Sequence, residues 1–151
     1  MKPDHAFFME EVERMASRSS CCKIHVGAIL VLDTHIISTG YNGTPRGDKN
    51  CDQVFVKEMS RKSLGEEKFL DLHKTFSTRH EIHAEKNCVI DALLRGTTIQ
   101  NAILYCSYSP CFDCSKLLLR CGIKEVFYKE TYDLLAVQWL QEHGIKIEKL
   151  S

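Results

Sequence analysis

Between Thr78 and Asn87 the chain reads TRHEIHAEKN, which places two imidazoles and two carboxylates within six residues. About twenty-five residues further on, Ser109 to Cys114 read SPCFDC. His83, Cys111 and Cys114 together offer one imidazole and two thiols, the donor types zinc takes in tetrahedral coordination. Cys111 and Cys114 are three apart, so both face one side of a helix's first turn. Unpaired backbone N–H groups and the positive dipole end favour thiolates there. Pro110 suits a helix start. Three ligands with an open fourth position describe a catalytic zinc that holds a water. Glu85 lies two residues past His83, too close in sequence to be an easy fourth ligand. It is well placed to exchange protons with that water, whose pKa zinc lowers toward ~7. A Cys-x-x-Cys pair taken alone reads as readily as core thiols or a redox motif. A purely structural zinc would need four protein ligands and no free carboxylate beside it.

The elements that must hold these groups can be outlined from pattern. From His5 to about Ser19, Phe8, Val12, Met15 and Ala16 recur at helical spacing. VGAILVL (Val26 to Leu32) and IISTGYN (Ile36 to Asn42) are β-rich runs joined by a short polar turn, a hairpin pattern. GTPRGDKN (Gly43 to Asn50) is loop. Residues 51 to 81 are charged and weakly periodic. We read about 46–80 as a loop/helix insertion with one short helix near Glu66 to Lys74. Helix is expected from Ile82 to Leu94, strand from Ala102 to Tyr108, and helix from Cys111 until Gly122 stops it. A strand over Glu125 to Glu130, a helix over Leu134 to Gly144 and a last short strand complete the order. This alternation predicts an α/β sandwich with parallel strands in its second half and a hairpin at its start. The stripe Leu134, Val137, Leu140 with Trp139 reads as core.

At 151 residues the chain is expected to be one domain, spanning 1–151. Its 44% apolar and 26% charged residues describe an ordinary globule. Twenty basic and twenty acidic residues cancel, which argues against non-specific binding to nucleic acid or an anionic membrane. No apolar run is long enough to span a bilayer, and the acidic N-terminus reads as a first helix and not as a targeting segment. Eight cysteines without an export signal point to a reducing, cytoplasmic setting and to metal or catalysis before disulfides. If the chain is phage-encoded, that setting is the host cytoplasm.

The pairing of His-x-Glu with Pro-Cys-x-x-Cys is the signature of zinc nucleobase deaminases. HAEKN, SPCFDC and GYNGTPRG together resemble the deoxycytidylate (dCMP) deaminases. CCKIHVGAILV resembles the family's first sheet, and GIKEVFYKETYD its late strand and following loop. The resemblance implies a cytidine-deaminase-like three-layer α/β/α sandwich on a mixed five-stranded sheet. It implies hydrolysis of dCMP to dUMP and ammonia, supplying dUMP for thymidylate synthesis, with no organic cofactor. Glu85 would handle the protons. Asn42 would meet the deoxyribose, Tyr132 the phosphate, and Ala84 with Ser107 and Ser109 the base edge. From the residues alone, Asn42 before Gly43 reads as a turn asparagine. The resemblance further implies a homohexamer, activation by dCTP with Mg2+, inhibition by dTTP, and an effector loop that includes Gly43 and Arg46. Other deaminase substrates stay open: a free nucleoside, guanine, or a base in nucleic acid.

Some phage members of this family hold a structural zinc through two Cys, a His and a Glu. The matching positions here are Cys21, Cys51, His73 and Glu81, with Cys22 and His80 as substitutes. Glu81 would then face one metal and His83 the other, and a metal would tie down a polar insertion with little core of its own. Cys88, Cys106 and Cys121 fall on apolar positions and read as small core residues. The charged run Ser60 to Lys68 reads as a solvated face.

Overall fold

A computed structural model describes residues 3–151. The first helix, α1 (His5–Ala16), is capped by Asp4, whose carboxylate accepts from Phe7 N–H at 3.0 Å. It buries Phe8, Val12 and Ala16, a stripe at i, i+4 and i+8. Strands β1 (Gly27–Leu32) and β2 (His35–Tyr41) form the expected antiparallel hairpin. Its turn residues Asp33 and Thr34 both have positive φ, 49° and 68°, the twist a two-residue hairpin turn needs.

Three helices follow: α2 (Cys51–Val54), α3 (Lys57–Leu64) and α4 (Glu66–His80). The segment is therefore mostly helical, where the sequence suggested one short helix. The signal was weak because the helices bury so little. No residue of α3 is buried, and α4 buries only Phe69 and His73. The charged run over Ser60 to Lys68 sits on this exposed part, with Arg61 paired to Glu66 at 3.2 Å.

Beyond this segment come α5 (Ala84–Leu94), β3 (Ile103–Tyr108), α6 (Phe112–Arg120), β4 (Glu125–Glu130), α7 (Leu134–Glu142) and β5 (Lys146–Lys149). The sheet order is β2-β1-β3-β4-β5. β1 runs antiparallel to both neighbours, and β3, β4 and β5 run parallel. The chain thus forms the expected mixed five-stranded α/β sandwich, with an antiparallel hairpin at its start and parallel strands in its second half.

Alternation along β1 feeds two cores. Ala28 and Leu30 face α5, α6 and α7, packing with Cys88, Leu118 and Leu140. Ile29 and Val31 face α1, packing with Phe8, Val12, Tyr105 and Phe127. Cys88 and Cys106 are wholly buried and Cys121 packs at the margin. In α7, Val137 and Leu140 are core, whereas Leu134 is exposed. A third cluster of Cys21, Cys51, Phe55 and Phe69 lies under the added helices. One contact ties α5 to the sheet with unusual closeness. A Cβ built on Gly40 of β2 would collide with the Ala84 carbonyl and the Cys88 amide, so only glycine lets α5 lie this near.

Candidate active site

Two helix starts converge at one end of the sheet. β3 ends at Tyr108, and Ser109, Pro110 and Cys111 lead into α6, with Cys111 as its N-cap. The Cys111 sulfur accepts from Cys114 N–H at 3.4 Å. His83 is the N-cap of α5, held in extended backbone (φ −64°, ψ 152°). Its Nδ1 lies 3.5 Å from the sulfur of Cys111 and 3.5 Å from that of Cys114. The three donor atoms all lie within 4.8 Å of one another.

The two thiols share a proton unequally. Hydrogen bonding from Cys114, then from His83, holds Cys111 down to about 4. Cys114 is pushed above the ordinary thiol range by its bond to Cys111 and by burial. His83 is raised by the Cys111 sulfur beside it. Two thiolates and an imidazole at this spacing fit a zinc ion, whose charge replaces the shared proton. Glu85, in the first turn of α5, is 4% exposed, and burial raises its carboxyl above the usual range. Lys86 and Asp113 form an ion pair that clips the starts of α5 and α6 together.

These groups open onto a cavity of about 760 Å³, a size that suits a nucleotide-sized ligand. His83, Ala84, Glu85 and Cys111 line it, as do Asn42, Ser109 and Tyr132. Asn42 is almost fully engaged with its own chain: its Nδ2 donates to the Ile24 carbonyl at 2.9 Å and its Oδ1 accepts from Val26 N–H at 2.8 Å. Ser109 Oγ accepts from Tyr132 N–H at 2.8 Å, so it sets the loop that carries Tyr132. Ser107 is not among the lining residues. Its hydroxyl is turned to the Gly27 backbone, accepting from the N–H at 3.0 Å. Gly43 and Arg46 also lie outside the lining. Gly43 exchanges two backbone bonds with Ile82, and Arg46 is exposed.

A second cluster brings together Cys21, Cys51, His73 and Glu81, again with all donor atoms within 4.8 Å. Cys21 Sγ is 3.5 Å from His73 Nε2, which is 4.0 Å from Glu81 Oε1. The neighbouring Cys51 thiol holds Cys21 down to about 4, while Cys51 is pushed far up by that same sulfur. Glu81 Oε1 is buried without a hydrogen-bond partner, and burial raises its carboxyl. A buried orphan oxygen among two sulfurs and an imidazole fits a cation. The substitutes point elsewhere: Cys22 Sγ donates to the Phe55 carbonyl at 3.0 Å, and His80 Nδ1 pairs with Asp48 at 2.9 Å. Glu81 and His83 diverge because one closes α4 and the other opens α5. Strand alternation would have set residues two apart on one face.

Lys23, Lys74, Ser77 and Thr78 also line the cavity, and sequence reasoning did not single them out. Lysine and hydroxyl residues on a polar helix give no spacing signal that separates a lining residue from a solvated one.

Residues 2–130 match the family described as the cytidine and deoxycytidylate deaminase zinc-binding region. The chain is 33% identical over 159 residues to the deoxycytidylate deaminase of Enterobacteria phage T2, covering 88% of this chain and 85% of that one. It is 38% identical over 147 residues to the deoxycytidylate deaminase of Schizosaccharomyces pombe, spanning 95% of this chain but 43% of that longer protein. A crystal structure of dCMP deaminase from the cyanophage S-TIM5, in complex with dCMP and dUMP, superposes with a TM-score of 0.77. The two chains are 30% identical, and 99% of each is covered.

Proposed function

The chain belongs to the cytidine and deoxycytidylate deaminase family, and from that membership we propose that it hydrolyses dCMP to dUMP and ammonia, feeding dUMP to thymidylate synthesis. The observation that carries this reading is the three-donor set His83, Cys111 and Cys114 beside a buried, unligated carboxylate, Glu85, in one cavity. A zinc ion held by these donors supplies Lewis-acid activation of water. Glu85 takes a proton from the attacking water and delivers one to ring N3 of cytosine. With the water oxygen now bonded to C4, Glu85 takes the remaining proton from that oxygen and passes it to the exocyclic nitrogen, so that the C4–N bond breaks, ammonia leaves and the C4=O double bond forms. Burial raises the Glu85 carboxyl above its usual range, which suits it to taking up a proton before passing it on. The Ala84 backbone and Ser109 meet the base edge, with Ser107 backing them through Gly27. Asn42 uses its second amide hydrogen and lone pair on the deoxyribose, and Tyr132 meets the phosphate.

The same reading extends to a second, structural zinc held by Cys21, Cys51, His73 and Glu81, supported by the orphaned Glu81 oxygen. It extends also to a homohexamer in a reducing cytoplasm, regulated by dCTP with Mg2+ and by dTTP through the loop with Gly43 and Arg46. For these the support is the likeness of GYNGTPRG to the family's loop and the exposure of Arg46.

The test pairs turnover with metal content. Glu85→Gln should retain its zinc and fold yet lose dCMP turnover by about 10²- to 10⁴-fold, read as ammonia release and as zinc per chain. A variant that keeps its rate would sink the reading. Assays with deoxycytidine and guanine separate the other substrates. Repeating the dCMP assay with dCTP plus Mg2+ or with dTTP, and sedimenting the protein, tests regulation and assembly.

A further inference from the structure

The thiols divide by task. Of the eight cysteines, Cys111 and Cys114 face His83, and Cys21 and Cys51 meet His73 and Glu81 in a four-residue knot. Cys88 and Cys106 belong to the core and Cys121 packs against it. Cys22 is left. It is half-buried, while Cys21 and Cys51 are buried. Its N–H donates to the Cys51 sulfur at 3.2 Å, and its own Sγ donates to the Phe55 carbonyl at 3.0 Å. Cys51 opens α2 and Phe55 is its C-cap, so Cys22 touches both ends of that short helix. The Cys22 and Cys51 thiols lie close enough to act on each other.

A disulfide needs Cα atoms about 4.4–6.8 Å apart. Cys21 and Cys22 are sequence neighbours, only about 3.8 Å apart, so that pair is strained. Cys51 is free of this restriction, and its sulfur already rests against the Cys22 backbone. Rotation of the Cys22 side chain away from Phe55 turns the two sulfurs toward one another. Cys22 thus offers an oxidant a half-buried sulfur at the edge of the knot, with a second sulfur placed to resolve it.

Resting on the second-metal reading above, we propose that Cys22 is an oxidation site, and that peroxide joins it to Cys51 in a disulfide that opens the knot and releases its cation. Peroxide takes an electron pair from the Cys22 sulfur: the O–O bond breaks, an S–O bond forms, and the other oxygen leaves as water with the thiol proton. The Cys51 thiolate then attacks the sulfenic acid. The S–S bond forms, the S–O bond breaks, and the departing hydroxide takes up a proton to become water. Cys51 is no longer a donor, and Cys21, His73 and Glu81 are left to hold the cation alone. In a reducing compartment such a bond is transient, a signal and not a staple.

The experiment treats the full metal-loaded chain with hydrogen peroxide at the lowest dose that frees zinc. Released zinc is read with a chromophoric chelator, and linked peptides are read by mass spectrometry. Wild-type protein should lose one zinc per chain, yield a Cys22–Cys51 peptide and melt lower, and thiol reductant with added zinc should restore it. Cys22→Ser, whose hydroxyl keeps a donor for Phe55, should keep its zinc and its melting temperature at the same dose. Cys121→Ser, which removes another half-buried thiol, should stay as sensitive as wild type. Zinc loss from Cys22→Ser at the wild-type rate overturns the proposal, as does linkage confined to Cys21–Cys51 or Cys111–Cys114. Zinc per untreated chain tests the second-metal reading separately. One ion where two are expected sinks that reading, and the Cys22–Cys51 peptide then decides the pairing by itself.

Discussion

Each ligand in the candidate centre is a helix-capping residue or one turn from it. His83 caps α5, Cys111 caps α6, and Cys114 lies three residues on. Cys111 both caps α6 through its sulfur and offers that sulfur as a donor, while His83 holds the N-cap position of α5 through its backbone alone, and it is this fixed placement at helix starts that let the ligand set be seen in the sequence. His-x-Glu and Pro-Cys-x-x-Cys carry both their donor types and their geometry in local spacing. Asn42 could not be settled in that way. Its dipeptide with Gly43 suggests a turn, yet its amide spans sixteen residues back to Val26, a tertiary fact without local signature. We expect Asn42→Ala to destabilise the protein by about 1–3 kcal/mol, the cost of leaving two backbone groups unpaired, as read from urea unfolding. A sugar contact would add a rise in KM for dCMP beyond what the lost stability explains, whereas a purely structural asparagine would leave KM unmoved.

At the scale of elements, the alternating second half was legible because each helix there has a stripe to bury and a glycine to stop it. Gly96, Gly122 and Gly144 all take positive φ just past a helix. α2, α3 and α4 escaped because they meet the rest of the chain through few apolar groups, with Phe69 as the one fully buried aromatic. Their organisation comes from the Cys21–Cys51–His73–Glu81 knot, which joins three segments: the approach to β1, the start of α2, and α4 with its C-cap. The approach of α5 to β2 was equally invisible, since nothing in HIISTGY marks Gly40 as a contact. Gly40→Ala should cost about 1–3 kcal/mol through overpacking. It should also lower dCMP turnover, because the displaced backbone includes Ala84, the residue before Glu85. Thermal melts and kcat measured on the same sample check both; a variant with unchanged kcat would mean that α5 adjusts without moving its first turn.

Over the whole molecule, the Cys21–Cys51–His73–Glu81 cluster stands where the added helices have little apolar core. The cluster of Cys21, Cys51, Phe55 and Phe69 is the smallest of the three apolar groupings, and it underlies the region richest in exposed polar helix. Chelation should therefore lower the melting temperature by ~5 °C or more, the shift that about 2 kcal/mol produces in a chain of this size. Zinc should restore it, and limited proteolysis of the chelated form should cut first within residues 51–80. A melt indifferent to chelator would remove the structural role of the second ion. Between the two clusters run only Glu81, Ile82 and His83, and the middle residue is stapled to Gly43 by paired backbone bonds. So short a tether has no slack. A misfit guest at one end, such as a cadmium ion with its longer bonds, cannot be absorbed by paying out chain. The strain must travel along the tether, so the two sites would read each other's occupancy as tension.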